Sequence, residues 1–267
     1  MGNFKGRLIA LWCYKGFVRS MVAREFRSRY MGSLLGSVWS ILNPLAFIII
    51  YTVIFSRVMQ AKLPGIDDTM AYGLFVCAGL LPWLFFVELL SRFPNIFIEQ
   101  ATLLKKVSFP RITLPVIALC SATINFLIIF SLFLAFLLIT GRFPGWVVLG
   151  YIPLLIIQQI FVVGFGILLA SINVFFRDVG QFVSVVIQFW FWFTPIVYIV
   201  TMLPVEAQRL IPFNPMTAFV QAYQGIILYG RWPDLMLFKF HCIGALIGLV
   251  SGFFVFHRLA DEMVDEL

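Results

Sequence analysis

Residues 182–200 read FVSVVIQFWFWFTPIVYIV and contain no charged side chain. As a helix rising about 1.5 Å per residue, this run would cover roughly the hydrocarbon thickness of a bilayer. It follows an Arg177-Asp178 pair, carries five aromatic residues in succession from Phe189 to Phe193, and meets Thr194-Pro195. A helix turns once in about 3.6 residues, so five consecutive rings put one on every side, including the side that faces the protein. Two roles are open to each ring: an anchor at the membrane boundary, where Trp and Tyr collect, or part of the wall of a path.

The rest of the 267 residues repeats the theme, with 62% hydrophobic and 12% charged residues and a mean hydropathy of +1.01. Soluble domains carry about 25% charged residues, so this composition predicts an all-α, polytopic membrane protein with one domain. The apolar runs are continuous and do not alternate, which argues against a membrane barrel. The net charge of +7 is unevenly spread: Lys5, Arg7, Lys15, Arg19, Arg24, Arg27 and Arg29 all fall in the first thirty residues. That asymmetry predicts a cytoplasmic N-terminus. The head is too polar for a secretory signal peptide. Cys13, Cys77, Cys120 and Cys242 show no C-x-x-C spacing, and His241 and His257 have no partner four residues on, so no metal site is expected.

Apolar runs at 34–55, 71–90, 115–139, 146–174, 182–200 and 240–256 predict six transmembrane helices with both termini cytoplasmic. Ahead of them, residues 1–33 are expected to form a cytoplasmic interface helix with snorkelling basic side chains. Glu88 lies inside the second run, with Arg92 four residues on as a candidate ion-pair partner. Residues 91–110 are polar, and Phe97, Ala101, Leu104 and Val107 recur as on a short amphipathic helix at the cytoplasmic surface. Residues 201–234 hold Pro204, Pro212, Pro215 and Pro233. Asn214-Pro215 has the form of an N-cap followed by proline at the first helical position, and Gly230 that of a C-cap. The helix between them is too short to cross, which makes 201–234 a set of periplasmic re-entrant or gate helices. Residues 235–257 form the sixth span and 258–267 a cytoplasmic tail. Gly244, Gly248 and Gly252 make a G-x-x-x-G-x-x-x-G ridge suited to close packing within one subunit.

An ion-coupled carrier needs titratable groups at mid-membrane, and an intramembrane enzyme needs convergent nucleophiles, acids or metal ligands. Apart from Glu88 the runs offer almost none. No G-x-x-x-x-G-K-[ST] loop occurs either, so ATP phosphates have no familiar cradle in this chain. The expectation is a transport subunit, not an enzyme, that binds no cofactor itself and is moved by a separate motor.

Four blocks, GSVWSILNPL (36–45), LLKKVSFPRITLP (103–115), FFRDVGQFVSVVIQFWFWFTPIVY (175–198) and NPMTAFVQAYQGIILYG (214–230), resemble in content and order the ATP-binding-cassette permeases that export bacterial surface polysaccharides. These are the membrane subunits for O-antigen, with capsule and teichoic-acid exporters as cousins and lipid or drug permeases as the alternative. The resemblance implies a homodimer in the bacterial inner membrane, paired with two ATPase subunits that bind ATP and Mg, and moving a polyprenyl-pyrophosphate-linked glycan. It also implies an aromatic-lined path, for which the candidates are Phe189, Trp190, Trp192, Phe193 and Tyr198, with Gln188, Tyr223 and Tyr51 behind them. The ATPase-coupling surface would comprise Arg24, Arg27, Phe97, Leu104, Lys105, Lys106, Phe109 and Arg111, and Arg177-Asp178 would be a hinge or an anchor. No nucleic acid is implied.

Overall fold

The computed structural model describes residues 14–28, 36–55, 63, 68, 70–106, 109–260 and 262–266. Every regular element among them is helical: α1 (Lys15–Ser28), α2 (Trp39–Val53), α3 (Ala71–Arg92), α4 (Ile96–Glu99), α5 (Ala101–Lys106), α6 (Thr113–Ile139), α7 (Tyr151–Phe175), α8 (Asp178–Phe193), α9 (Val205–Leu210), α10 (Pro215–Tyr229), α11 (Lys239–Leu259) and α12 (Glu262–Glu266). Most of residues 56–69, and the head before residue 14, lie outside the described residues.

Among the described residues, four helical stretches are long and apolar enough to cross a membrane: Ala71–Glu99, Thr113–Ile139, Gly145–Phe175 and Leu235–Leu259. The other two expected spans are shorter. α2 has 15 residues and α8 has 16, where a perpendicular span takes about 20. The 182–200 boundaries need correcting at both ends, because α8 starts at Asp178 and stops at Phe193. Proline disfavours helical geometry in the residue before it, and Thr194, ahead of Pro195, is extended with φ −105° and ψ 129°. The amphipathic element after α3 is likewise two short helices, α4 and α5, with Gln100 outside helical geometry between them.

α3 is the axis. It is apolar all round and nearly all of its side chains are buried, with α2, α6, α7, α8 and α10 packed about it. Pro82 lies inside α3 and has no N–H, so the Ala78 carbonyl loses its helical donor. Tyr151 on α7 meets that loss, its hydroxyl donating to the Ala78 carbonyl at 3.3 Å.

α11 runs along α7, and here small residues set the separation. A Cβ on Gly252 would lie 2.3 Å from the Gly164 carbonyl oxygen, and one on Gly164 would lie 2.3 Å from the Leu249 nitrogen. Two glycines of the ridge, Gly248 and Gly252, are therefore spent within the subunit, while Gly244 faces open space. Overpacking costs about 1–3 kcal/mol, so Gly252→Leu should lower the melting midpoint of the detergent-solubilised protein, whereas Gly244→Leu should leave it nearly unchanged. Equal midpoints for the two variants in a thermal size-exclusion assay would reject this packing.

Candidate transport path and coupling face

Phe189, Trp190, Trp192, Phe193 and Tyr198 lie where α8 gives way to a turn and bends over residues 194–199. Asn214 caps α10, its Oδ1 accepting the Met216 N–H at 2.9 Å. The same oxygen accepts the Trp190 indole N–H at 2.8 Å, while Nδ2 donates to the Phe193 carbonyl at 3.0 Å and to Thr194 Oγ1 at 2.9 Å. A carboxamide offers two donor hydrogens and two acceptor lone pairs, and here all are used. Thr194 in turn donates to the Trp190 carbonyl at 2.8 Å. One side chain thus locks the C-terminal end of α8 to the N-terminus of α10. At the other end of α10, Gly230 has a left-handed φ of +56° and stops the helix as its C-cap.

This locking divides the rings of α8. Trp190 is half-buried and edge-on to Phe86 and Trp83 of α3, at 5.2 and 6.4 Å between centroids. Phe189, Trp192 and Phe193 point away from the bundle, Trp192 being 67% exposed, and share an outward stripe with Phe182, Val185 and Gln188. Tyr198 is half-buried and donates to the Trp192 carbonyl at 3.0 Å. Tyr51 lies on the half-buried side of α2, its ring 4.3 Å from Phe47 and 6.1 Å from Phe55.

Tyr223 is fully buried, its ring tilted against Tyr151 at 4.7 Å between centroids, with its hydroxyl donating to Gln158 Oε1 at 2.7 Å. Gln158 Nε2 reaches the Pro82 carbonyl at 3.2 Å. The structure therefore puts Tyr223 in a polar brace between α3, α7 and α10, away from any surface. Gln224, next on α10, donates to the Pro195 carbonyl at 3.1 Å.

The opposite end of the bundle carries the expected coupling surface. α1 lies against α6, with Phe17 and Phe109 at 5.2 Å. Glu25 of α1 accepts from Ser121 on α6 at 2.9 Å and forms an ion pair with Arg92 of α3 at 2.5 Å. Beside this node a cavity of about 450 Å³ opens between α1, α6 and the α4–α5 turn, with Arg24, Glu99 and Lys106 on its wall. Lys105, Lys106, Arg24 and Arg27 are exposed, and Leu104, Phe109 and Arg111 are half-buried. Phe97 is not on this surface. It is fully buried and stacks on Phe256 of α11 at 5.6 Å, so it supports the turn from within. Arg177 and Asp178 are both exposed at the tight turn between α7 and α8.

Glu88 accepts from Asn125 on α6 at 2.9 Å. Sequence reasoning paired Arg92 with Glu88 and passed over Glu25, although an acid on the inner side of a strongly basic helix was a usable signal. Among the described residues no three His, Cys, Asp or Glu side chains gather as a metal site would require.

Residues 17–228 match the ABC-2 type transporter family. The chain belongs to that family. It is similar to the O-antigen export system permease protein RfbA of Myxococcus xanthus, with 33% identity over 226 residues, 84% of this chain and 85% of that protein. RfbA of Klebsiella pneumoniae is 32% identical over 245 residues, 91% of this chain and 92% of its own length. The polysialic acid transport protein KpsM of Escherichia coli is more distant, at 17% over 250 residues, 92% and 95% of the two chains. In this ABC-2 transporter the family match takes in both the Asn214 lock and the Glu25 node.

Replacing an N-cap Asn by Ala costs about 0.5–2 kcal/mol, and Asn214→Ala also releases Trp190 and Thr194. Amide hydrogen exchange over 194–218 should speed up about tenfold in this variant, with α7 and α11 unaffected. Unchanged exchange there would mean that the lock is not what holds α8 to α10.

Proposed function

We propose that this chain is the membrane subunit of an ATP-driven exporter that moves a polyprenyl-pyrophosphate-linked polysaccharide, first of all the O-antigen of lipopolysaccharide, from cytoplasm to periplasm. The observation that carries this reading is the similarity, over about nine-tenths of both chains, to permeases named for O-antigen export. In this reading the chain catalyses no reaction. ATP and Mg bind to a separate ATPase, two copies of which dock under a permease homodimer in the inner membrane.

The topology follows the charge distribution. α2 and α8 are the first and fifth of six spans, thinned at their ends by extended or 3₁₀ segments, and both termini are cytoplasmic. Residues 201–234 then form the outer gate. α1, α5 and the exposed Lys105 and Lys106 receive the motor.

The outward stripe of α8 supports the dimer. Alongside Phe182, Phe189, Trp192 and Phe193 it exposes Gln181 and Gln188. Amides are poorly suited to lipid and are usually found against another helix or a water-filled cavity. A second subunit facing this stripe would enclose a path with flat apolar walls and a few amides. Sugar rings present C–H faces and hydroxyl rims, so many weak aromatic contacts, each comparable to an aromatic pair of roughly 0.5–1.5 kcal/mol, would hold a glycan and still let it advance. A capsule-type polymer is the second reading, favoured by the full-length but weaker similarity to KpsM.

Trp192→Leu keeps the Asn214 lock intact and tests the path alone: export should fall severalfold at unchanged protein level, and further with Phe189→Leu. Undiminished export would remove both rings from the path. Separately, Lys105→Glu with Lys106→Glu should weaken co-purification of the partner ATPase, and association at the original strength would remove α5 from the docking face. Proteoliposomes with both subunits should hydrolyse ATP faster when lipid-linked glycan is added, and glycan translocation by the permease alone would overturn the scheme.

A further inference from the structure

α1 and α6 leave a groove between them that the path does not use and that shares Arg27 with the expected coupling face. Its volume is about 680 Å³. α6 supplies Val116, Cys120 and Ile124, one per turn, and α1 supplies an apolar floor around Val22 and Ala23. Arg19 and Arg27, with Lys15, stand in its lining, which includes no acidic side chain among the described residues. Hydroxyls or amides laid on this floor would find almost nothing to bond, so a sugar, nucleotide or peptide is a poor occupant. An alkyl chain fits the floor, and the cationic rim calls for a negative head.

The geometry also gives the direction. Ile124 and Leu127 continue the α6 ridge with exposed side chains, so the groove runs onto the apolar flank of a helix long enough to cross the membrane. From Val116 to Leu127 the ridge extends about 16 Å at 1.5 Å per residue, the scale of an acyl chain.

We propose that this groove holds an acyl chain of an anionic glycerophospholipid from the inner leaflet, with its phosphate drawn to the arginine rim. The assignment rests on α1 lying in the cytoplasmic interface, and it is independent of the cargo. A lipid in this position would wedge α1 against α6 beside the Glu25 node. The position of the docking face would then depend on the lipid around it.

The test counts lipids on the purified full-length permease, so its outcome does not hang on export. Native mass spectrometry of protein from nanodiscs containing both phosphatidylglycerol and phosphatidylcholine should find phosphatidylglycerol selectively retained. One basic residue near a membrane surface contributes about 1 kcal/mol, or about fivefold, so Arg19→Gln and Arg27→Gln should each reduce retention by that factor. Ala23→Trp keeps every charge but fills the floor, and should displace the lipid. With Cys120 as the sole cysteine, a membrane-permeant maleimide should label it more slowly in phosphatidylglycerol than in phosphatidylcholine, a readout that does not depend on the Trp variant folding. Equal retention of both lipids, full retention by Ala23→Trp, or equal labelling rates would overturn the proposal. So would lipid binding that appears only after deletion of residues 1–13, which would assign the groove to the chain's own N-terminal segment. Displacement by equimolar polyprenyl phosphate would assign it to the cargo's lipid and overturn it as well.

Discussion

In a bilayer, a peptide N–H or C=O that loses its helical partner finds no water to replace it, and each orphan costs several kcal/mol. This chain interrupts its helices repeatedly and answers three of the breaks with a side chain from elsewhere. Pro82 frees the Ala78 carbonyl, and Tyr151 covers it. Pro195 ends α8, after which Asn214 and Gln224 take the Phe193 and Pro195 carbonyls. The Pro94 carbonyl in the turn after α3 accepts from Asn173 of α7, whose own oxygen accepts the Gly180 N–H of α8. Tyr151, Asn173, Asn214 and Gln224 thus stand where the backbone breaks.

That distribution ties the two ends of the molecule to one element. Near one end of α3, Arg92 pairs with Glu25 of α1. Further along, Pro82 and Ala78 receive Gln158 and Tyr151, and through them Tyr223 of α10. α3 is 22 residues long, or about 33 Å at 1.5 Å per residue. On the proposed topology, a displacement of α1 or α5 by a docked motor would reach the outer helices through this one packed helix. Contacts made along α3 have to move together, because a buried helix touched on all sides has no free face along which to slip.

Elements signalled by local chemistry were legible in the sequence. Asn214-Pro215 and Gly230 fixed α10 to within a residue, because capping is set by two or three neighbouring side chains. Gly248 and Gly252 announced a close helix contact, which α7 provides. Partnership across the fold was much less legible. Nothing local to Tyr223 says whether its ring faces a path or a core, since both demand an aromatic at a helical spacing. The same ambiguity covers Phe97, where one apolar position in an amphipathic pattern turned out to face α11 rather than the surface. Arg92 had an acid four residues away on its own helix, and sequence alone could not weigh it against Glu25, which lies 67 positions earlier and is brought close only by the docking of α1.

The aromatic run on α8 shows why composition alone could not divide anchor from wall. Trp190 and Trp192 are two positions apart, about 200° around a helix, and so must face nearly opposite ways. The one that points inward is consumed by the lock on Asn214, and its neighbour is left on the open stripe with Phe189 and Phe193. A run of five rings therefore serves two ends at once: its inner members set the angle at which α8 meets α10, and its outer members present a surface whose orientation follows from that angle. Any change at Trp190 or Asn214 should be felt on the outer face even though neither side chain is part of it. An effect of Trp192 on export can accordingly be read as a contact effect only while the Asn214 hydrogen bonds remain intact.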